Sequence, residues 1–329
     1  LKGFTASFDM LGEAARTFED AARYRDAYAG AIAAVGKDAS RGHSVSVKLS
    51  ALHPRYEVAQ AGSCVPALTA TLLELARAAA SAGVGLTVDA EESERLEMSL
   101  DIIGAVAGDP ALKGWDGLGM AVQAYGRRAR AVVDWAQSLG AATGRRIAVR
   151  LVKGAYWDSE IKRTQELGLA DFPLFTRKAA TDVSYLACAR AMLDAPNIHP
   201  AFASHNALTV ATILDWAGAR RDFEFQRLHG MGEGLYEGLV REEGYACRIY
   251  APVGGHKDLL AYLVRRLLEN GANSSFVHQL ADPDVTDQDL LADPAGKIAS
   301  VGGAPHPSIA APRDLFAPER ANSAGIDLS

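Results

Sequence analysis

The sequence has few cysteines, no excess of basic residues and no long apolar run. Its 329 residues include three cysteines, Cys64, Cys188 and Cys247, which are widely spaced and form no C-x-x-C pair. This argues against a disulfide framework or a zinc site, so we expect three buried thiols in a cytoplasmic protein. The 34 basic residues are outnumbered by 40 acidic ones, and no basic stripe is present. A nucleic-acid partner is therefore not expected.

No stretch reaches the roughly 18 to 20 continuous apolar residues of a membrane span. The first residues run directly into a strand-like segment and lack the pattern of a signal peptide. Because the chain begins with Leu1, we interpret it as a piece of a longer polypeptide. Any membrane association of the parent protein is expected to be peripheral.

Short apolar runs alternate with longer helical patterns along most of the chain. The predicted strands are Phe4–Met10, Ser44–Leu49, Gly85–Val88, Leu118–Val122, Arg146–Val152, Ala201–Ser204, Phe223–Leu228 and Ala246–Ala251. Eight such repeats predict an α/β fold, a (β/α)8 TIM-type barrel. A doubly wound sheet is the alternative, but it usually carries a glycine-rich turn after its first strand. The nearest match, Gly230–Gly234, has the wrong spacing and comes late.

The helices between these strands are predicted near 13–35, 67–82, 91–106, 127–139, 159–167, 179–193, 207–217, 234–242 and 256–270. From about Asp282 onward the chain is rich in proline and glycine, which is typical of a linker. We therefore predict a barrel over residues 1–281 and an extended connector over 282–329, with at most one short helix.

Polar residues stand where most of the predicted strands end. A barrel of this kind carries its active site at that end, so their convergence predicts a catalytic mouth. A single strand-end residue such as Asp89 could instead cap the next helix. The set comprises Asp9, Glu13, Lys48, His53, Asp89, Glu91, Glu92, Gln123, Tyr125, Arg150, Lys153, His205, Asn206, Gln226, His229 and Tyr250.

The last predicted helix places Tyr262, Arg265, Arg266 and Glu269 on one face, at positions i, i+3, i+4 and i+7. Such a face is often simply solvated. A tyrosine beside adjacent arginines also suits a carboxylate ligand, because the guanidinium binds carboxylates through two parallel hydrogen bonds.

Two basic segments suit a phosphate or pyrophosphate group. The first is Lys153-Gly154-Ala155, and the second is Phe175-Thr176-Arg177-Lys178 with Thr181 nearby. Lysine charge, hydroxyl donors and backbone N–H groups at helix starts all favour anions. The aromatic pair Tyr156-Trp157 offers apolar contact to a flat ring, although aromatic residues are more often part of the core.

Several long motifs resemble the proline dehydrogenase domain of the PutA flavoenzymes, in the order in which that family has them. They are Ser46–Tyr56, Asp89–Glu92, Arg150–Asp158, Thr176–Lys178, Gln226–Glu233, Arg248–Gly254 and Tyr262–Phe276. The resemblance extends from about Phe4 to Ser329. Residues Ala59–Leu73 and the segment between Leu235 and Arg248 depart from the family pattern, which leaves the geometry of those loops open.

The resemblance implies FAD-dependent oxidation of L-proline to pyrroline-5-carboxylate, with hydride transfer to flavin N5. It assigns catalytic roles to Lys48, Asp89, Arg150, Tyr250, Arg265 and Arg266. It places Lys48, Asp89, Tyr156, Leu228, Tyr250, Tyr262, Arg265 and Arg266 around proline. Glu13 would pair with the first of these two arginines as a gate over the bound proline. The FAD positions implied are Gln123, Arg150, Val152, Lys153, Gly154, Ala155, Trp157, Thr176, Lys178, Thr181, His205, Asn206, Gln226, Leu228, Glu269 and Ser275.

The same resemblance implies a membrane quinone as electron acceptor and, in the parent chain, a pyrroline-5-carboxylate dehydrogenase domain beyond the connector. Two other functions stay open from the residues alone. A metal-dependent barrel lyase or aldolase could use Asp89, Glu91 and Glu92 as oxygen ligands, although no metal is expected from the family. A non-catalytic scaffold would be expected to have lost the strand-end polar residues.

Overall fold

The computed structural model describes residues 3–255, 259–260, 263–264, 279–280 and 282–326. Eight parallel strands form a closed barrel in which each strand pairs with its sequence neighbour and β8 pairs with β1. This confirms the predicted (β/α)8 barrel. The strands are β1 (Thr5–Met10), β2 (Ser44–Val47), β3 (Gly85–Val88), β4 (Leu118–Gln123), β5 (Ile147–Val152), β6 (Ile198–Ala203), β7 (Glu224–Leu228) and β8 (Ala246–Val253).

Helices follow the strands on the outside of the barrel. They are α1 (Phe18–Gly36), α2 (Ala61–Ala82), α3 (Leu96–Ala107), α4 (Ala129–Thr143), α5 (Trp157–Leu167), α6 (Lys178–Asp194), α7 (Ala207–Ala217) and α8 (Glu233–Arg241). The apolar side chains of the strands, such as Val45, Leu86, Val149 and Phe225, pack with buried helix residues into one continuous core. The hydrophobic core therefore lies between the strands and the helices.

Three helices begin five or six residues from their predicted starts. One of them, α3, begins at Leu96 instead of near Glu91, after a 3-10 turn over Ser93–Arg95. Helix α1 begins at Phe18 because Thr17 and Asp20 form a capping box, in which the Thr17 hydroxyl accepts a hydrogen bond from the Asp20 N–H. Helix α2 begins six residues before Ala67 and continues through Pro66. Cys64 is fully buried on the same face as Leu68, so packing favours helix on both sides of the proline.

Helix α2 and the turn before it, Val58–Ala82, are long and apolar enough by length and composition alone to cross a membrane. Six of the residues in α2 are buried: Cys64, Leu68, Leu72, Leu75, Ala76 and Ala79. They belong to the main core cluster, as expected of a helix in the wall of a barrel. All three cysteines are free and buried, as the sequence predicted.

The C-terminal segment contains two short helices, Asp287–Leu290 and Pro294–Ala299, where we predicted at most one. Local capping explains them. The Thr286 side chain accepts a hydrogen bond from the Asp289 N–H, and Asp293 accepts from Ala295 and Gly296. The segment then runs back along the barrel, where the Gln165 amide donates to the Ala310 carbonyl at 2.7 Å.

Candidate active site

Four charged side chains and one tyrosine meet inside the barrel at the carboxyl ends of the strands. We call Asp9, Lys48, Asp89, Arg150 and Tyr250 the charged cluster. Lys48 Nζ donates to Asp9 Oδ1 at 2.5 Å and lies 3.3 Å from Asp89 Oδ2. Asp89 also accepts from Arg150 Nη1 at 2.5 Å and from the Tyr250 hydroxyl at 2.7 Å. The structure therefore brings four predicted site residues into direct contact.

The charges of this cluster balance one another. Burial alone would raise the pKa of Asp89, but Lys48 and Arg150 outweigh it and hold that pKa below its ordinary value. Burial alone would lower the pKa of Lys48, but the acidic groups of Tyr250, Asp89 and Asp9 raise it well above the ordinary value. With both carboxylates ionised, two negative charges oppose two positive ones. A carboxylate ligand would therefore need further cations.

Tyr250 is held as a hydrogen-bond donor. Burial and the adjacent Asp89 carboxylate raise the pKa of its hydroxyl well above the ordinary value. Its ring lies 4.9 Å from the Arg150 guanidinium carbon, within the range of a cation–π contact. Tyr250 thus contacts two charged groups, Asp89 through its hydroxyl and Arg150 through its ring.

Arg150 on β5 crosses the barrel and is almost fully buried. Its Nε donates to Gln226 Oε1 at 2.7 Å, and its Nη2 donates to Ser7 Oγ at 3.1 Å and to Ser46 Oγ at 2.9 Å. Together with the bond to Asp89, the described residues accept from four of the five guanidinium N–H groups. Among the residues that the structure describes, none accepts from the second N–H of Nη1.

The loop after β5 is tied to the loop after β3 through Gln123. Its Nε2 donates to the Glu91 carbonyl at 2.8 Å, and its Oε1 accepts from the Ala155 N–H at 3.1 Å. Gly154 adopts φ +145° beside the Tyr125 ring, and an added Cβ would lie 2.3 Å from Tyr125 Cδ2. Only glycine fits there, so the backbone of the predicted phosphate segment packs directly against the Tyr125 ring.

The two predicted basic segments meet at a residue that the sequence did not single out. Asp182 on α6 bonds to Lys153 Nζ and lies 3.0 Å from Lys178 Nζ. Burial would raise the pKa of Asp182, but the two lysines lower it. The three side chains together carry one positive charge, which suits an anionic group.

The C-terminal segment covers the second basic segment. Arg177 Nε donates to the Ala304 carbonyl at 2.7 Å, and the Thr176 hydroxyl accepts from the His306 N–H at 3.0 Å. Trp157 Nε1 donates to the Phe175 carbonyl at 2.9 Å. The predicted FAD positions on α5 and before α6 are therefore connected to each other and to the tail.

Other predicted FAD positions lie around the same end of the barrel. His205 Nε2 accepts from the Leu228 N–H at 3.1 Å, and Asn206 caps α7 by accepting from the Thr209 N–H at 3.0 Å. Val152 and Leu228 are the last residues of β5 and β7, and both are half-buried. Thr181 is buried in the first turns of α6.

Glu13 lies in the loop after β1, and Tyr156 lies in the loop after β5. Burial raises the pKa of the Tyr156 phenol above its ordinary value, and the nearby Glu13 carboxylate adds to the effect. Glu13 is half-buried in the loop between β1 and α1. The remaining predicted residues, Tyr262, Arg265, Arg266, Glu269 and Ser275, lie outside the described residues.

Comparison with known proteins decides the family. The sequence model described as proline dehydrogenase matches residues 1–279. This chain belongs to the proline dehydrogenase family.

Bifunctional PutA proteins are among the relatives of this chain. The bifunctional protein PutA of Rhizobium meliloti is 52% identical over 341 residues, which are 100% of this chain and 28% of that protein. PutA of Klebsiella aerogenes is 49% identical over 348 residues, which are 100% of this chain and 26% of the relative. The chain therefore spans about a quarter of the length of these relatives.

Solved structures support the same family assignment. A crystal structure of a proline utilization A variant from Bradyrhizobium japonicum superposes with a TM-score of 0.95 at 56% identity, over 99% of this chain and 34% of that one. PutA from Bdellovibrio bacteriovorus, inactivated by N-propargylglycine, gives a TM-score of 0.88 at 31% identity. The barrel of this proline dehydrogenase family member thus has the same fold as the matching part of the solved PutA structures.

The carboxylates proposed for a metal-dependent alternative do not converge in this proline dehydrogenase barrel. Asp89 faces Arg150, whereas Glu91 accepts from the Ser50 N–H at 3.0 Å and Glu92 pairs with Arg95 at 2.8 Å. Within the described part of the chain, no group of three His, Cys, Asp or Glu side chains is placed to hold a metal ion.

Sequence reasoning missed several residues that organise the site. Asp9 stood among the strand-end residues without an assigned role, and Ser7, Asp182 and Glu224 were not considered. A signal was present in the strands, where Ser7 and Asp9, Ser46 and Lys48, and Glu224 and Gln226 are each two residues apart. Residues at this spacing share one face of a strand. Polar residues facing a barrel interior, which branched aliphatic residues usually fill, indicate a site.

Proposed function

We propose that this chain oxidises L-proline to pyrroline-5-carboxylate, with FAD as the hydride acceptor. Membership of the proline dehydrogenase family supports the substrate and the reaction class. The observation that carries the proposal is the buried Arg150, which is held by Gln226, Asp89, Ser7 and Ser46 and keeps one N–H from which no described residue accepts. A fixed cation of this kind at the mouth of a barrel favours an electron-accepting cofactor.

The residues present fit an FAD molecule. Gly154 lets the loop after β5 pack against Tyr125, and Lys153 and Lys178 around Asp182 supply one net positive charge for the pyrophosphate. When bound, FAD would accept the hydride at N5 from the ring carbon beside the proline nitrogen. The residues that we propose to hold it are Gln123, Arg150, Val152, Lys153, Gly154, Ala155, Trp157, Thr176, Lys178, Thr181, His205, Asn206, Gln226, Leu228, Glu269 and Ser275.

The substrate would lie above the charged cluster. Because the cluster is balanced, Lys48 alone does not provide the net positive charge that a carboxylate needs. We propose that Arg265 and Arg266 provide it, with Lys48 donating one further hydrogen bond. Tyr250, Tyr156, Tyr262 and Leu228 would wall the proline ring, Asp89 would hold the cationic groups, and Glu13 would pair with the first arginine over the bound substrate.

The amine of proline must be neutral before hydride leaves the adjacent carbon. Activity is therefore expected to rise with pH towards the pKa of the amine. We assign no side chain as the base. Orientation of the ring by the carboxylate contacts would supply the proximity contribution to the rate.

We also propose a setting for this reaction. We propose that the chain is the proline dehydrogenase part of a PutA-type protein, whose pyrroline-5-carboxylate dehydrogenase domain consumes the product. A membrane quinone would receive the electrons, and the parent protein would be cytoplasmic with peripheral membrane contact. No nucleic-acid partner is proposed, because acidic residues outnumber basic ones and no basic stripe is present.

An absorbance spectrum of the purified chain, before and after L-proline is added without oxygen or acceptor, tests this function. Flavin bands that bleach on addition would support the cofactor, the substrate and the direction of hydride flow together. Flavin bands that stay oxidised would contradict the substrate. Absence of flavin after reconstitution with FAD would contradict the cofactor and return attention to the metal-dependent alternative.

A further inference from the structure

A buried carboxylate lies below the site and is connected to it through one glutamine. Glu224 is on β7, two residues before Gln226, and both side chains are inside the barrel and almost fully buried. Gln226 Nε2 donates to Glu224 Oε1 at 2.6 Å, while Gln226 Oε1 accepts from Arg150 Nε at 2.7 Å. The amide therefore bridges a buried anion and the cation of the charged cluster.

Chemistry allows only one orientation of that amide. Arg150 has only N–H donors, so the group facing it must be the Gln226 oxygen. An ionised Glu224 has only acceptors, so the group facing it must be the Gln226 NH2. The reversed amide would place its NH2 group against the N–H donors of Arg150 and its oxygen against the carboxylate of Glu224.

Glu224 is kept ionised by Arg248 on β8. Arg248 Nε and Nη2 donate to the two carboxylate oxygens at 2.8 and 2.9 Å. Burial would raise the pKa of Glu224, but Arg248 outweighs it and lowers that pKa. Arg248 is anchored in turn by the Gly42 carbonyl at 2.8 Å. The anion is thus fixed on the side of the barrel away from the charged cluster.

We propose that Glu224 is a positioning residue for the reaction site: it orients the Gln226 amide, and Gln226 holds the Arg150 guanidinium in place. Without this anchor, Arg150 would keep its contacts with Asp89 and the two serines, but its Nε would no longer have an acceptor in a fixed position. The inference rests on the proposed function, in which the remaining N–H of Arg150 faces the bound flavin.

A double substitution tests this without leaving a buried charge unpaired. Glu224→Leu with Arg248→Met replaces an ion pair by apolar residues, an exchange that is often tolerated in protein interiors. Glu224→Gln is the second variant, since one amide cannot accept from both Arg248 nitrogens and from Gln226. Arg248→Lys is the matched control, because it removes the guanidinium contacts at Gly42 but leaves a cation beside Glu224.

The readouts are the visible spectrum and reduction potential of bound FAD, the FAD dissociation constant, and kcat and KM for proline. We expect the double variant to lose about tenfold in kcat/KM, equivalent to about 1.4 kcal/mol of transition-state stabilisation. We also expect a shifted flavin spectrum and potential, a smaller change in Glu224→Gln, and kcat/KM within about twofold of wild type in Arg248→Lys.

Two results would overturn the proposal. If the melting temperature falls while the flavin spectrum, the potential and kcat/KM stay unchanged, Glu224 only supports the barrel. If Arg248→Lys changes them as much as the double variant does, distortion of the barrel explains the effect.

One readout separates this inference from the proposed function. Hydrogen exchange of the Arg150 Nε–H, followed by NMR, needs no flavin. Faster exchange in the double variant than in Arg248→Lys would support the anchor even if wild type failed to bind FAD. Equal exchange in these two variants would contradict it.

Discussion

Replacing Gly154 by alanine tests the fit of the loop after β5 most directly. Residue 154 has φ +145°, and the new Cβ would lie 2.3 Å from Tyr125 Cδ2 and 2.5 Å from Cγ. A non-glycine residue in such a conformation costs about 1–3 kcal/mol. Forcing an extra methyl group against a buried ring costs about 1–3 kcal/mol more. We therefore expect Gly154→Ala to lower the free energy of unfolding by about 2–6 kcal/mol.

Two control substitutions separate these contributions. Gly144→Ala has φ +64° with open space around the new Cβ, so it should cost only about 1–2 kcal/mol of backbone strain. Gly234→Ala, in α8, has open space and no left-handed conformation. It should gain up to about 1 kcal/mol from helix propensity.

Urea unfolding of the three variants and FAD titration give the comparison. Because the Tyr125 ring and the loop must separate, Lys153 and Ala155 move away from the predicted cofactor. We expect the FAD dissociation constant of Gly154→Ala to rise about tenfold, a change of about 1.4 kcal/mol. If Gly154→Ala lowered the free energy of unfolding only as much as Gly144→Ala does and left the FAD affinity unchanged, the close packing against Tyr125 would be refuted.

Two further predictions concern charge. Arg266→Ala, or Arg265→Ala, should raise the KM for proline steeply and leave FAD bound, since a guanidinium–carboxylate hydrogen bond contributes about 1.5–3 kcal/mol; steady-state kinetics with unchanged KM would contradict the carboxylate assignment. The pKa of Asp182 is lower in the folded chain, so its contribution to stability is present above the ordinary value of 3.8 and is lost as the pH falls through the folded value. Asp182→Asn should therefore flatten the acid side of the stability–pH curve, measured by urea unfolding from about pH 5 downward, and an unchanged slope would count against the ion pairs with Lys153 and Lys178.

Tertiary structure adjusted several boundaries that local patterns suggested. Helix α2 was predicted to begin after Pro66, yet it begins at Ala61 because Cys64 packs into the core. The start of helix α1 at Phe18, instead of near Glu13, needed no tertiary contact, because the local capping box at Thr17 and Asp20 sets it. Strand β6 begins at Ile198, three residues earlier than predicted, because pairing with β5 extends across Pro200.

Local sequence was sufficient for the barrel and for the meeting of four polar side chains at its mouth. Alternating strands and helices require a parallel sheet, and in a closed parallel barrel the carboxyl ends of all strands face one mouth. Lys48, Asp89, Arg150 and Tyr250 could therefore be predicted to meet from their places at strand ends alone. The long motifs indicated the family, and comparison with known proteins confirmed it.

Only the tertiary structure decided which groups bind one another. Asp9 and Lys48 are 39 residues apart, and Arg150 and Gln226 are 76 apart, yet each pair forms a hydrogen bond inside the barrel. Asp182 lies between two lysines from different loops, and Glu224 lies below Gln226 beside Arg248. Strand period determines which face a side chain occupies, but the stagger of eight strands determines its depth and its neighbours. Those neighbours set the charge balance and the orientation of the site.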